Sequence, residues 1–473
     1  MTAPGYDVIV IGSGPNGLAA AIATARAGLR TLVVEAHATP GGGARTSELT
    51  LPGFHHDVCS SVHPLGVGSP WFADLDLAAH GLAWIQPPAA LAHVMGDGRV
   101  VTLERSVADT AAQLGADGPA YAALMGPLAA RFGELARMFL GPLRVPRSPL
   151  LAARFGVRAL RSLRGLVRRF EGDLAPALLG GIAAHGMVPL EASATAALAL
   201  VLGLAGHAVG WPLARGGSRA ITDALVATLR GHGGELELGT NVASLRQLPS
   251  ARAYVFDTGP RALLAIAGDR LPARYRARLE RFRYGPGIFK MDWALAGPIP
   301  WRDARAARSA TVHVSGDVDH IAASERAVHA GTLDARPFTL VVQPTLFDPT
   351  RAPPGKHIAW AYCHVPAGQR IDAAAVLEAH IEHVAPGFRE LILARAARDP
   401  VDVEAYNPNY VGGDINGGLS DLRQLFFRPV ARRDPYRTPA RDIFLCSSST
   451  PPGGGVHGMC GYWAARSVLR ALR

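Results

Sequence analysis

Lysine is almost missing from this chain. Of its 48 Lys and Arg residues only Lys290 and Lys356 are lysine, so the formal net charge of +10 is carried by arginine. Alanine, glycine and proline are abundant beside it, which fits a GC-rich genome and removes much of the charge's meaning. Aromatic residues make up only 7%, and no Lys/Arg block is interleaved with them; no nucleic acid is expected as a partner. Cysteine is scarce as well. Cys59, Cys363, Cys446 and Cys460 are scattered, with no C-x-x-C, so neither a redox disulfide nor a zinc site is expected, and no other metal. Long apolar runs are nearly absent. The one stretch long enough to span a membrane, "ASATAALALVLGLAGHAVGW" at 192–211, is mostly Ala and Gly and carries His207; it reads as a buried helix. An apolar strand is reached by residue 8 without a charged and then apolar leader, so no secretory signal is expected and a cytoplasmic location is.

What is present is a nucleotide turn. "VIVIGSGPNGLAAAIATARAGLRTLVVEA", residues 8–36, opens on a β-branched run suited to a buried parallel strand. Gly12, Gly14 and Gly17 follow in G-x-G-x-x-G spacing. The first permits a tight turn, the second a close pyrophosphate, the third close packing of helix on strand. An Ala-rich helix offers its free N–H groups to phosphate. The next strand ends in Glu35, 23 residues past Gly12 (35 − 12), near the offset of a ribose-binding acid.

With 473 residues, two or three domains are expected. Residues 1–74 read as the nucleotide-binding start and 75–210 as a mostly helical cap. Residues 211–284, with "GGSRAITDALVATLRGHGGELEL" and "ARAYVFDTGP", read as a return to it. Residues 285–400 hold strand-like runs such as "IFKMDWAL" and "HIAWAYCHV". Residues 401–473 end in strand, Gly-rich turn and helix, the same device as the first turn. A second helix N-terminus suits a flavin, whose ring gains negative charge on reduction.

These stretches, with "PGGGARTSELTLPGFHHDVCSSVHPLG", "NPNYVGGDINGG" and "SSSTPPGGGVHGMCGY", resemble the phytoene desaturase-like flavoproteins of the flavin amine oxidase superfamily. The nearest likeness is to the subgroup labelled pyridine nucleotide-disulfide oxidoreductase domain protein 2. The resemblance implies an α/β fold: a Rossmann-type FAD-binding domain with an inserted substrate-binding domain of mixed sheet plus helices. It implies FAD as cofactor. Gly12, Gly14, Pro15, Asn16 and Gly17 would hold the pyrophosphate. Glu35, with Ala36 beside it, would take the adenosine ribose. Gly41, Gly42, Gly43, Ala44 and Arg45 would form a second glycine motif, Arg45 pairing with phosphate. Val242 would meet the adenine, and Gly454, Gly455, Val456, His457 and Met459 the flavin and ribityl chain. The chain departs from its relatives in lacking a cysteine pair, in Trp463 after "CGY", and in offering hydroxyls where an acid often holds the ribityl chain.

Two residues are the catalytic candidates. Lys290, on a strand, matches a superfamily lysine that approaches flavin N5 through water; the bland alternative is a snorkelling lysine. His63 follows "SSV", on the segment expected at the flavin, and a near-neutral histidine there moves a proton. Asp414 and Tyr410 are open between substrate contact and turn capping. The expected activity is that of an FAD-dependent dehydrogenase or desaturase passing hydride from a lipophilic or unsaturated substrate to flavin N5. The alternatives are an amine or amino-acid oxidase and a non-catalytic flavin-binding interaction protein. With one dinucleotide fingerprint, electrons would pass to O2, a quinone or the substrate. Lastly, "LLAARFGVRALRSLRGLVRRF", 150–170, reads as one amphipathic helix with Arg154, Arg158, Arg161, Arg164, Arg168 and Arg169 on one side. Two readings stand: a solvated Arg face, or peripheral contact with an anionic membrane.

Overall fold

The computed structural model describes residues 5–473. Two sheets organise it. In chain order their strands are β1 (Tyr6–Ile11), β2 (Thr31–Val34), β3 (Ala89–Val94), β4 (Val100–Glu104), β5 (Glu235–Glu237), β6 (Ala251–Phe256), β7 (Gly287–Leu295), β8 (Ser309–Val314), β9 (Thr339–Val342), β10 (His357–Val365), β11 (Ile392–Arg398) and β12 (Ile443–Leu445). The helices that position the site are α1 (Pro15–Ala25), α2 (Pro149–Ala159), α3 (Leu174–Ala184), α4 (Thr195–Ala208) and α5 (Met459–Leu472).

The first sheet is parallel throughout, in the order β12-β6-β1-β2-β5. β1 shows why its sequence is apolar without alternation. Val8 and Val10 pack with Leu18 and Ile22 of α1, while Ile9 and Ile11 pack on the other face with Leu263 and Leu279. Both faces are covered, as a parallel sheet requires. The chain leaves β1 toward β2 on one side and returns as β6 and β12 on the other. The crevice at the carboxyl ends of β1 and β6 is therefore the switch point where such sheets bind ligands.

The second sheet has seven strands in the order β11-β7-β10-β9-β8-β3-β4. All its pairs are antiparallel except β8 with β3. The Rossmann-type domain with a mixed-sheet second unit is thus present. One segment holds more than its sequence pattern indicates: residues 75–210, read as mostly helical, also supply β3 and β4. Both strands are buried along their length, so no polar alternation marks them.

The 192–211 stretch is a buried helix, α4, and among the described residues no helix is long and apolar enough to cross a membrane. The Arg-rich segment departs from its pattern. It is not one helix: α2 stops at Ala159, and a new short helix starts at Leu163 because Ser162 caps it, accepting the Gly165 N–H at 3.0 Å. The break swings Leu160 out, to 50% exposure, where a continuous helix would have placed it among the apolar residues.

Candidate active site

A cavity of about 1010 Å³ runs from the glycine turn after β1, across the C-terminal glycine turn, to the face of the second sheet and the inner side of α2. Its first end is built by helix starts. α1 begins at Pro15 with no acidic residue in its first turn, and α5 begins after Gly458 in the left-handed conformation (φ +67). The two helices meet where Gly461 lies against the Asn16 carbonyl, and any Cβ there would overlap it. Both N-termini therefore open into one crevice, and each favours negative charge. Asn16 Oδ1 is buried with no hydrogen-bond partner. The glycine cradle, the two helix starts and this unpaired amide fit a dinucleotide with an anionic ring.

Of the residues expected at a cofactor, Gly12, Gly14, Pro15, Asn16, Glu35, Ala36, Gly42, Gly43, Arg45, Val242, Gly454, Gly455, Val456 and His457 line this cavity. Gly17, Gly41, Ala44 and Met459 stand behind it. Gly17 lets α1 lie on the Gly12 carbonyl. Gly41 (φ +125) donates its N–H to Ser13 O and accepts that of Ala44. Met459 donates its N–H to His457 Nδ1 at 3.0 Å.

Glu35 is held by the protein's own donors. Its Oε2 accepts the N–H and O–H of Ser13 at 2.9 and 2.6 Å, and its Oε1 accepts the His37 N–H at 3.0 Å. Arg45 also donates to Oε1, at 3.2 Å. Arg45 donates further to the carbonyls of Thr39 and Gly42 and to the Tyr406 hydroxyl. Glu35 supplies the counter-charge that a guanidinium with 7% of its side chain exposed needs inside the protein. Arg45 buttresses the second glycine turn.

Lys290 departs more sharply from expectation. It does not line the cavity. Its Nζ lies 2.5 and 2.6 Å from the carboxylate oxygens of Asp292 and 5.0 Å from the ring centroid of Trp360, which does line it. His56 Nδ1 stands 3.5 Å from the same carboxylate. Lys290 and Asp292 are each 2% exposed, so the pair forms a buried layer behind the cavity wall. The ammonium holds the Asp292 carboxyl below the usual range against its burial.

His63 lines the cavity, but its expected near-neutral titration is corrected. Burial pushes it down to about 4, with the Asp57 carboxylate opposing and Arg351 adding to the fall. Its Nε2 is 2.9 Å from Ser218 Oγ, whose own proton goes to Ser60 O. Nε2 must therefore carry the ring proton and donate it, which leaves Nδ1 as the free base. His457 is likewise neutral, pushed down to about 4 by burial. Asp414 resolves as a loop cap, accepting the N–H groups of Gly285, Asn416 and Gly418 at 2.8 to 2.9 Å. Tyr410 lines the cavity beside Gly43 and Cys59. All four cysteines are free.

Two residues escaped the sequence reading. Arg428, 2% exposed, borders the cavity and donates to the carbonyls of Gln424 and Ser448, next to Gly453; no motif marks it. Asp257 follows β6 and sits under the glycine turn. A Cβ on Gly14 would lie 2.6 Å, and one on Gly17 2.8 Å, from its Oδ2. Gly14 is thus bare of a side chain to admit the Asp257 carboxyl, besides any room it leaves for pyrophosphate. An acid at the end of the strand beside β1 was the available signal.

The far end of the cavity is apolar. Trp360 and Tyr362 stack at 5.9 Å between centroids on the sheet side, facing Leu198, Val201 and Phe155 from the helices. The only carboxylates lining the cavity among the described residues, Glu35 and Asp257, are both at the dinucleotide end.

Comparison with known proteins agrees with this architecture. Residues 10–76 match the NAD(P)-binding Rossmann-like domain family. The chain is 27% identical to the mouse pyridine nucleotide-disulfide oxidoreductase domain-containing protein 2, over 99% of this chain and 94% of that one. It is 23% identical to a limonene dehydrogenase polypeptide of Castellaniella defragrans, over 98% and 95%. A 39-residue stretch, 8% of each chain, is 67% identical to hydroxyneurosporene desaturase of Rhodobacter capsulatus. The likeness read from the motifs stands. Among solved structures, an oxidoreductase from Methanosarcina mazei superposes with a TM-score of 0.66 at 15% identity, over 98% of this chain and 100% of that one. Cyclohexylamine oxidase from Brevibacterium oxydans gives 0.62 at 17%, over 99% and 100%; the fold is shared.

Proposed function

We propose that the chain is an FAD-dependent oxidoreductase that dehydrogenates or desaturates a neutral, lipophilic substrate. The observation that carries this reading is the polarity of the cavity. One end offers two helix N-termini, a glycine cradle and a fixed carboxylate; the other offers aliphatic and aromatic walls with no carboxylate. Bound FAD supplies hydride acceptance at N5, and the protein supplies orientation, dryness and electrostatics. His63, neutral and lining the cavity, is the candidate to accept a proton as hydride leaves. The relatives named as a limonene dehydrogenase and a desaturase support the reading. The reduced flavin would be reoxidised by O2, a quinone or a second substrate.

The purified protein is expected to be yellow and to release FAD on denaturation. Gly14→Val would drive a side chain into the Asp257 carboxyl and is expected to give colourless, poorly stable protein. Recovery of NAD would overturn the cofactor assignment, and a full complement of FAD in the variant would overturn its seating at the Gly14 turn. A second reading, oxidation of an amine, rests on neighbours named for putrescine and cyclohexylamine. It predicts rapid anaerobic bleaching of the flavin by small amines. A carboxylate-free substrate end gives an ammonium no counter-charge, so no such bleaching is expected. A flavin that no reductant reduces would point instead to a non-catalytic binding protein.

The substrate's source is read from α2 and the segments flanking it. Leu150 and Val157 on α2, with Leu143, Val145 and Leu160 beside it, are exposed by 87, 71, 64, 90 and 50%. Residues 143–170 hold eight Arg and no acid. The inner side of α2, with Phe155 and Ala159, lines the cavity. This apolar, cationic lip is read as resting on an anionic lipid surface, the protein being a cytoplasmic one that visits the membrane. Attraction is worth about 1 kcal/mol per Arg near the surface and fades as the Debye length shrinks from about 10 Å at 0.1 M salt to about 3 Å at 1 M. The protein is expected to sediment with anionic vesicles at low salt and release at high salt. Leu150→Glu with Val157→Glu should abolish sedimentation at unchanged flavin absorbance; a wild type that never sediments sinks the reading.

A further inference from the structure

The acid under the glycine turn has no partner of opposite charge. Asp257 N–H is tied to Ile11 O at 2.8 Å, which fixes the residue at the switch point between β1 and β6. Its carboxyl projects beneath two glycines of the turn, ideal Cβ atoms on Gly14 and Gly17 falling 2.6 and 2.8 Å from Oδ2, while Gly12 lies against its backbone, a Cβ there falling 3.0 Å from the carbonyl oxygen. The charged group that acts on it is Glu35 at the end of β2, another acid, and the further titratable groups that face it are the thiols of Cys446 after β12 and Cys460 on α5. No Lys, Arg or His pairs with it among the described residues. What favours its ionised form is the N–H groups of Gly17 and Gly14, at the very N-terminus of α1.

Those amides are the ones a diphosphate would use, and the carboxylate and the phosphates would compete for the same positive field. Resting on the FAD reading above, we propose that Asp257 must hold a proton for the dinucleotide to seat on α1, so that loading FAD takes up a proton at this carboxyl. At a pH above the carboxyl's own pKa the turn carries an anion of its own, and seating the dinucleotide neutralises it. The proton comes from solvent, ends on a carboxylate oxygen of Asp257, and returns to solvent when FAD leaves. Burial already pushes the carboxyl well above the usual Asp range, the amides of Gly17 and Gly14 opposing and Glu35 adding to the rise. Bringing in two phosphate charges moves it further the same way. The cysteine thiols do not compete for this role: burial pushes Cys460 up to about 12 and Cys446 well above its usual value.

Linkage fixes the sign. Above the pKa of the empty site and below that of the loaded one, FAD binding is accompanied by proton uptake, so affinity falls as pH rises, by up to about tenfold per pH unit. The experiment starts from holoprotein, dilutes it at several pH values between about 5 and about 9, and follows the fluorescence of released FAD. The wild-type Kd is expected to rise with pH over part of this range, and Asp257→Asn, of equal size but unable to ionise, to bind with a flat profile. Titration calorimetry in two buffers of different ionisation heat should show uptake approaching one proton per FAD for the wild type; this arm stands even if the variant does not fold. A wild-type Kd independent of pH, or a variant with the wild-type slope, overturns the proposal while leaving FAD as the cofactor. A protein that yields no FAD at all overturns the cofactor assignment instead.

Discussion

A buried ammonium needs its counter-charge within hydrogen-bond reach, and Lys290 has found one in Asp292 rather than in the cavity. Lys290→Met keeps the side chain's length but leaves the Asp292 carboxylate buried with only His56 beside it. Loss of one partner of such a pair costs about 3 to 5 kcal/mol. The variant is therefore expected to unfold at a distinctly lower urea concentration. Lys290→Met with Asp292→Leu should recover much of the loss, and flavin reoxidation should change little in either. A tenfold slower reoxidation at wild-type stability would return Lys290 to the flavin. The sequence showed a lysine retained where arginine is the rule. It had no means of showing Asp292 as the reason, because residues two apart on a strand pair only when that face is sealed.

At the scale of elements, the close crossing of α1 and α5 decides whether two helix N-termini share one crevice. Gly461→Val forces the helices apart at the Asn16 carbonyl. Overpacking of this kind costs about 1 to 3 kcal/mol, but the larger expected effect is on FAD, lost at moderate dilution as one helix start moves off the ligand. Absorbance after gel filtration checks it; full FAD retention would show the crossing to be incidental. The turn after β1 was legible because strand, glycines, helix and acid lie within 8–36. So was α5, by the same local logic. β3 was not: "AALAHV" is fully buried and alanine-rich, and its parallel partner β8 lies more than two hundred residues on. The break at Leu160–Ser162 was hidden by a helical period that continues through it.

For the whole molecule, buried histidines set the lower pH limit. Burial pushes His63, His93, His207, His380 and His457 down to about 4 and His185 to about 3. The unfolded chain binds these protons near pH 6.5. Between about 6.5 and about 4 the unfolded state holds more protons, so stability is full above that window and falls as pH falls through it. Each such histidine removes about 1.4 kcal/mol per pH unit, and a typical fold has only about 5 to 15 kcal/mol in all. The urea midpoint is expected to be level above about pH 7 and to collapse well before pH 4. A midpoint unchanged from pH 7 down to about 5 would contradict the buried, neutral histidines.

The order of strands in the first sheet carries a consequence for how the molecule is made. β1 lies between β2, which leaves the ribosome soon after it, and β6, which follows some two hundred and forty residues later; β12 lies at the sheet edge beside β6. The nascent polypeptide pairs β1 with β2 early but must leave its other edge open until β6 emerges, and its second helix start is absent until residue 459 is out of the tunnel. The sheet is therefore not completed by folding from the N-terminus alone. Release from the ribosome, a chaperone shielding β1, and capture of the coenzyme should fall close together in time.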